Sequence, residues 1–110
     1  SFIQNMERKT LFIDVILPLA VPKVYTYRVP NKWNDEIEIG KRIVVQFGSS
    51  RLYTSLVFKI RDKPNAAYEA RYIEMVMDKS PIVTEKQLQF WEWIASYYMC
   101  TIGEVTNAAL

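Results

Sequence analysis

The chain has 110 residues, half of them hydrophobic and 14% aromatic, with a formal net charge of +2. That length supports a single core, and that composition excludes global disorder. No apolar run approaches the roughly 20 residues of a membrane span, no secretory leader is visible, and the charge alone does not announce a polyanion binder.

Residue types narrow the chemistry. Histidine is absent, which removes Ser-His and Cys-His catalysis and every His-bearing zinc site. The lone Cys100 cannot form an internal disulfide, as fits a reducing compartment, and its apolar helical setting suits an inert thiol. No Walker loop, glycine-rich fingerprint or CxxC occurs, and Gly40, Gly48 and Gly103 alone leave little for a phosphate-cradling loop. These features point to a non-catalytic chain. Charge is unevenly spread, with 12 Lys/Arg against 7 Asp/Glu through Ile73, then 2 against 5 from Glu74 onward. A polyanion is therefore expected at the first two-thirds of the chain, although a solvated basic face gives the same pattern.

Residues 1–8 read as a polar, aperiodic leader ahead of a single domain over 9–110. Thr10–Leu17 reads as a β-branched strand with Asp14 on the face of Phe12 and Ile16, where a carboxylate needs a partner or an edge. Pro22 and Pro30 bracket a second strand, Lys23–Val29, because neither can donate a ladder hydrogen bond. Alternation puts Tyr25 and Tyr27 on one side and Val24 and Thr26 on the other. Aromatics, a hydroxyl, Lys23 and Arg28 in so short a stretch suit a nucleotide, since rings stack on bases and cations neutralise phosphates. The bland alternative is a core strand with a solvated basic flank.

A polar loop around Trp33, with room for a 3₁₀ turn, leads through Gly40 to a strand at Ile43–Phe47. Gly48–Arg51 turns the chain into the long strand Leu52–Arg61. After Asp62–Asn65 and an exposed connector, Ala66–Ala70, a further strand is expected at Arg71–Met77 until Ser80-Pro81 breaks the pattern. The spacing predicts an α+β fold: a small antiparallel sheet or partly closed barrel of about five to six strands, followed by two C-terminal helices. Thr84 and Gln87 form a capping box before a helix with Leu88, Trp91, Ile94, Ala95 and Tyr98 on one stripe. Phe90, Trp93 and Tyr97 widen that stripe, so the helix is expected to be covered on two sides. A second box, Thr101 and Glu104, opens a helix that runs to Leu110, and an ending inside an apolar helix reads as a piece of a longer protein.

Four stretches together carry a family resemblance. They are Val15-Ile16-Leu17-Pro18 with Val21–Tyr27, Ile39–Gly48, Ile82–Tyr98, and Cys100–Leu110 with its Ile102-Gly103-Glu104-Val105. In order and spacing, Lys9–Leu110 resembles the N-terminal 3′-end DNA-binding domain of the bacterial primosomal replication-restart helicases, the PriA (primosomal protein N′) family. The resemblance implies a domain that holds the 3′-hydroxyl end of the nascent leading strand at stalled forks. By motif, Tyr25 matches the family's pocket aromatic, Gly48 the glycine of a V-P-F-G turn, and Arg71 the basic residue before the later strand. Thr26 stands where some members have aspartate, Gln46 replaces the turn proline, and Ser55 sits where glycine is common. A hydroxyl at Thr26 accepts a hydrogen bond without the charge that would repel a 3′-phosphate.

In physical terms, Tyr25 can carry a base without base preference, and Gly48 lets backbone approach the chain end. Arg71 can pair with the last phosphate, and Lys23, Arg28, Arg51 and Lys59 can follow the backbone. No cofactor is expected in this stretch; the family's ATP, magnesium and zinc sites would lie beyond Leu110. Implied partners are forked DNA, the helicase core of the same chain, other primosome proteins and single-strand-binding protein. The implied location is cytoplasmic and nucleoid-associated, with no membrane partner. The rival reading is a small barrel that binds a peptide or a neighbouring domain; an RNA-binding barrel is a third, without a specific signal.

Overall fold

β-Branched and aromatic residues at period two make β1, Leu11–Ile16, a strand buried on both faces. The computed structural model describes residues 10–20, 24–48, 51–62 and 70–110. The expected leader, Lys23, Ser49, Ser50 and all of the connector but Ala70 lie outside them. After β1 come β2 (Tyr25–Val29), a 3₁₀ turn (Asn31–Trp33), β3 (Arg42–Phe47), β4 (Arg51–Arg61), β5 (Met75–Val76), α1 (Glu85–Tyr97) and α2 (Ile102–Ala109). The strands form one antiparallel sheet in the order β2-β1-β4-β3-β5.

Alternation divides the sheet into two faces. Ile13, Val15, Tyr27, Val29, Ile43, Val45 and Val57 fill one core with Ile37 and Ile73. On the other side Ile16 and Leu56 meet Val83, Leu88, Trp91 and Ile102, so both helices rest on one end of that face. Gly103 permits the approach of α2. A Cβ there would lie 2.2 Å from the Leu19 carbonyl oxygen and 2.4 Å from that of Leu17. A register shift between Asp14 and Val15 bends β4 against β1.

The fold class is as expected, and the sheet stays open. The last strand is shorter than expected, with only Met75–Val76 in the ladder instead of Arg71–Met77. Residues 71–77 split their hydrogen bonds between two edges, whereas a long ladder needs a single partner. The Arg28 amide donates to the Arg71 carbonyl and the Ile73 amide to that of Arg28, whereas the Glu74 and Met77 amides donate to Val44 and Arg42 of β3. In backbone pairing, one parallel bridge, Arg28 with Tyr72, joins this segment to β2 among the described residues. The helix expected to be covered on two sides is covered on one among the described residues. Leu88 and Ala95 are buried, while Phe90, Trp93 and Tyr97 are exposed, and Tyr98 caps the helix with its ring in solvent.

Candidate nucleic-acid interface

The β3–β4 turn gathers three of the residues singled out by sequence. Gly48 adopts φ +78°, a conformation glycine reaches without strain, and, its chain neighbours aside, no heavy atom of the described residues lies within 4 Å of where its Cβ would be. Among the described residues the turn conformation, rather than crowding, selects glycine. Arg71 Nη1 donates to the Gly48 carbonyl at 3.1 Å. Beside Gly48, Phe47 meets the half-buried Tyr25 ring edge-on, with centroids 4.9 Å apart. Tyr25, Gly48 and Arg71 therefore belong to one neighbourhood. Tyr27 steadies it from below: its hydroxyl donates to the Gln46 carbonyl at 2.7 Å, linking strands that are not neighbours in the sheet.

A cavity of about 500 Å³ opens here, lined by Arg28, Gln46, Ala70, Arg71, Tyr72 and Glu74. This volume is in the roughly 300–1,000 Å³ range of small-ligand sites. It brings two cations, an aromatic ring, an amide and a carboxylate together. Sequence reasoning missed Tyr72 and Glu74 here and noted Gln46 only as a substituted proline. The available signal was the juxtaposition of Arg71, Tyr72 and Glu74 in one short segment; what it lacked was the fold of that segment over β2 and β3.

Thr26 sits elsewhere. It is on the face of β2 opposite Tyr25 and Tyr27, buried, and its hydroxyl donates to Asp14 Oδ1 at 2.8 Å. Arg61 Nε donates to Asp14 Oδ2, also at 2.8 Å. The carboxylate that needed a partner thus has two, and the hydrogen of Thr26 is directed at an acid inside the fold rather than towards the Gly48 turn.

The remaining cations are dispersed. The Arg28 guanidinium lies 5.4 Å from the ring centroids of both Phe12 and Tyr72. Its Nε is buried without a hydrogen-bond partner among the described residues. Arg51 is exposed at the far side of the turn, 6.0 Å from the Tyr53 ring, and Lys59 is exposed beside Phe58. Lys23 lies outside the described residues. No helix among the described residues is long and apolar enough to cross a membrane.

A basic, aromatic-walled cavity beside a glycine turn has the chemistry to meet a nucleic acid, and comparison with known proteins points to DNA binding by the domain. Residues 14–110 match the family model of the 3′ DNA-binding domain (3′BD) of PriA. Similar relatives include the replication restart protein PriA of Treponema pallidum (strain Nichols), 21% identical over 103 residues, and that of Rickettsia felis, 28% identical over 99 residues. These alignments span 90% and 87% of this chain but only 16% and 14% of those relatives. The match runs from the middle of β1 to the end of α2 and takes in the Gly48 turn, Arg71 and both capped helices, and on that ground the chain belongs to the family of PriA 3′ DNA-binding domains.

Proposed function

We propose that this domain captures the 3′-hydroxyl end of a DNA strand, the nascent leading strand at a stalled fork, without preference among bases. The observation that carries this reading is the Arg71–Gly48 hydrogen bond. It holds a cation against the carbonyl of a left-handed glycine, next to the Tyr25–Phe47 ring pair. A chain end differs from a chain interior by a free hydroxyl and a missing phosphate. Arg71 pairs with the last phosphate, the Gly48 backbone walls off any continuation, and Tyr25 packs against the terminal nucleotide. Glu74, in the same cavity, accepts the hydroxyl hydrogen and repels a phosphate in its place. Thr26 contributes from behind, holding β2 through Asp14. Lys23, Arg28, Arg51 and Lys59 supply long-range attraction for the strand.

On this reading residues 9–110 are the end-binding domain of a longer restart helicase. The ATP, magnesium and zinc chemistry, the motor, and the contacts with primosome proteins and single-strand-binding protein belong to the rest of that protein. The test is binding of short fluorescent single strands ending in 3′-hydroxyl or 3′-phosphate at fixed low salt. Preference for the hydroxyl is expected, with affinity falling steeply as salt rises; equal binding of both ends would remove end recognition. The exposed stack Phe90–Trp93–Tyr97 favours a second, protein-facing role, whose binding would barely respond to salt.

A further inference from the structure

The register of the sheet lines up a row that ends at Tyr72, a ring to which the end-binding reading gives no role. Arg61 on β4 pairs with Phe12 on β1, Phe12 pairs with Arg28 on β2, and Arg28 bridges to Tyr72. Directly opposed residues share a face, so cation, aromatic, cation and aromatic alternate across four neighbouring chain segments. The members on β4 and β1 are settled: Phe12 is buried, and Arg61 is bonded to Asp14. Tyr72 at the outer end is not, with 53% of its surface exposed. The Arg28 guanidinium lies against that ring while its own Nε has no hydrogen-bond partner among the described residues. The ring also stands between two hollows, the 500 Å³ cavity with Arg71 and a second of about 370 Å³ lined by Thr10, Val29, Pro30 and Asn31. Tyr25 offers less, being half-buried and engaged by Phe47.

We propose that Tyr72 is the stacking platform for the nucleotide that precedes the terminal one, its ring held in place by the Arg28 guanidinium. This rests on the end-binding reading above. The terminal nucleotide fills the cavity beside Arg71, and the next base lies on the exposed face of Tyr72, so the strand leaves across the second hollow. Stacking on a ring is indifferent to base identity, and a cation at the ring's other face fixes its orientation.

The experiment measures binding of 3′-hydroxyl single strands to wild type, Tyr72→Ala and Tyr72→Phe, each with an intact or an abasic penultimate nucleotide. Tyr72→Ala is expected to weaken binding of the intact strand about five- to 150-fold, and Tyr72→Phe by less than about twofold. The abasic strand should bind wild type more weakly but give Tyr72→Ala no additional loss. Thermal melting controls for folding, and the abasic strand probes the same contact in the unmutated protein. Equal abasic penalties in wild type and Tyr72→Ala, or undiminished binding by Tyr72→Ala, would overturn the platform while leaving end recognition standing. Failure of wild type to bind any strand would instead remove the DNA-end reading, and the platform with it.

Discussion

At the scale of single residues, Asp14 and Arg71 differ in what removing them should do. Asp14 is fully buried and accepts from both Thr26 and Arg61. Asp14→Ala leaves the Thr26 hydroxyl buried and unpaired and Arg61 without its counter-ion, so unfolding in urea should show a loss of about 2–4 kcal/mol. Arg71 is exposed, and Arg71→Ala should leave the urea transition unmoved. It should weaken DNA binding and lower the slope of log affinity against log salt by about one. Glu74→Gln should narrow the preference for a 3′-hydroxyl over a 3′-phosphate, measured as a ratio of affinities, because the amide accepts a hydrogen bond without repelling phosphate. The need of Asp14 for a partner was legible in sequence, since no buried carboxylate stands alone. Its partner was not, because Arg61 is 47 positions away and meets Asp14 only through the pairing of β1 with β4. That Thr26 faces Asp14 and not the side of Tyr25 follows from the strand itself, where adjacency in sequence means opposite faces.

Elements defined by local chemistry were the most legible. Both capping boxes form as read: Gln87 N donates to Thr84 Oγ1 at 3.1 Å and Glu104 N to Thr101 Oγ1 at 3.2 Å, with the reciprocal bonds in place. The Thr101 amide and hydroxyl, both donating to Glu104, hold its carboxyl below the usual range. The strand at Arg71–Met77 was over-read because its length depends on which edge each amide finds, a tertiary matter. Gly103 is where α2 is most vulnerable. Gly103→Ala would press a methyl onto the Leu17 and Leu19 carbonyls, so α2 must shift, and a loss of about 1–3 kcal/mol is expected by thermal melting. Another tie reports on pH. The Asp78 carboxylate accepts from the amide, Nε and Nη2 of Arg42 at the start of β3, at 2.8, 3.1 and 2.9 Å. Those hydrogen bonds hold the Asp78 carboxyl below its ordinary value. The folded pKa is depressed, so the stabilisation is complete above the unfolded carboxyl range near ~4 and disappears as pH falls through the lower folded value. The difference in stability between wild type and Asp78→Asn should therefore shrink on acidification below about pH 4.

Across the whole molecule, the charge asymmetry and the architecture coincide. β1 to β4 and the Arg71 cavity, apart from Glu74, belong to the basic part, and β5, α1 and α2 to the acidic part. The open sheet has one further consequence. Residues 71–77 act as a clasp: they bond β2 through Arg71 and Ile73, and β3 through Glu74 and Met77, so the two distant edges are held by one short run of chain. Arg71, the proposed phosphate ligand, is the first link of that run. Whatever grips Arg71 in this conformation must also favour the fastened clasp, because a ligand stabilises the state it binds. Local opening of the clasp should be visible in hydrogen–deuterium exchange at the amides of Arg28, Ile73 and Glu74. Addition of a 3′-hydroxyl strand should slow exchange at all three together and leave the α1 amides unchanged. Slowing at one edge alone would mean that the two fastenings open independently.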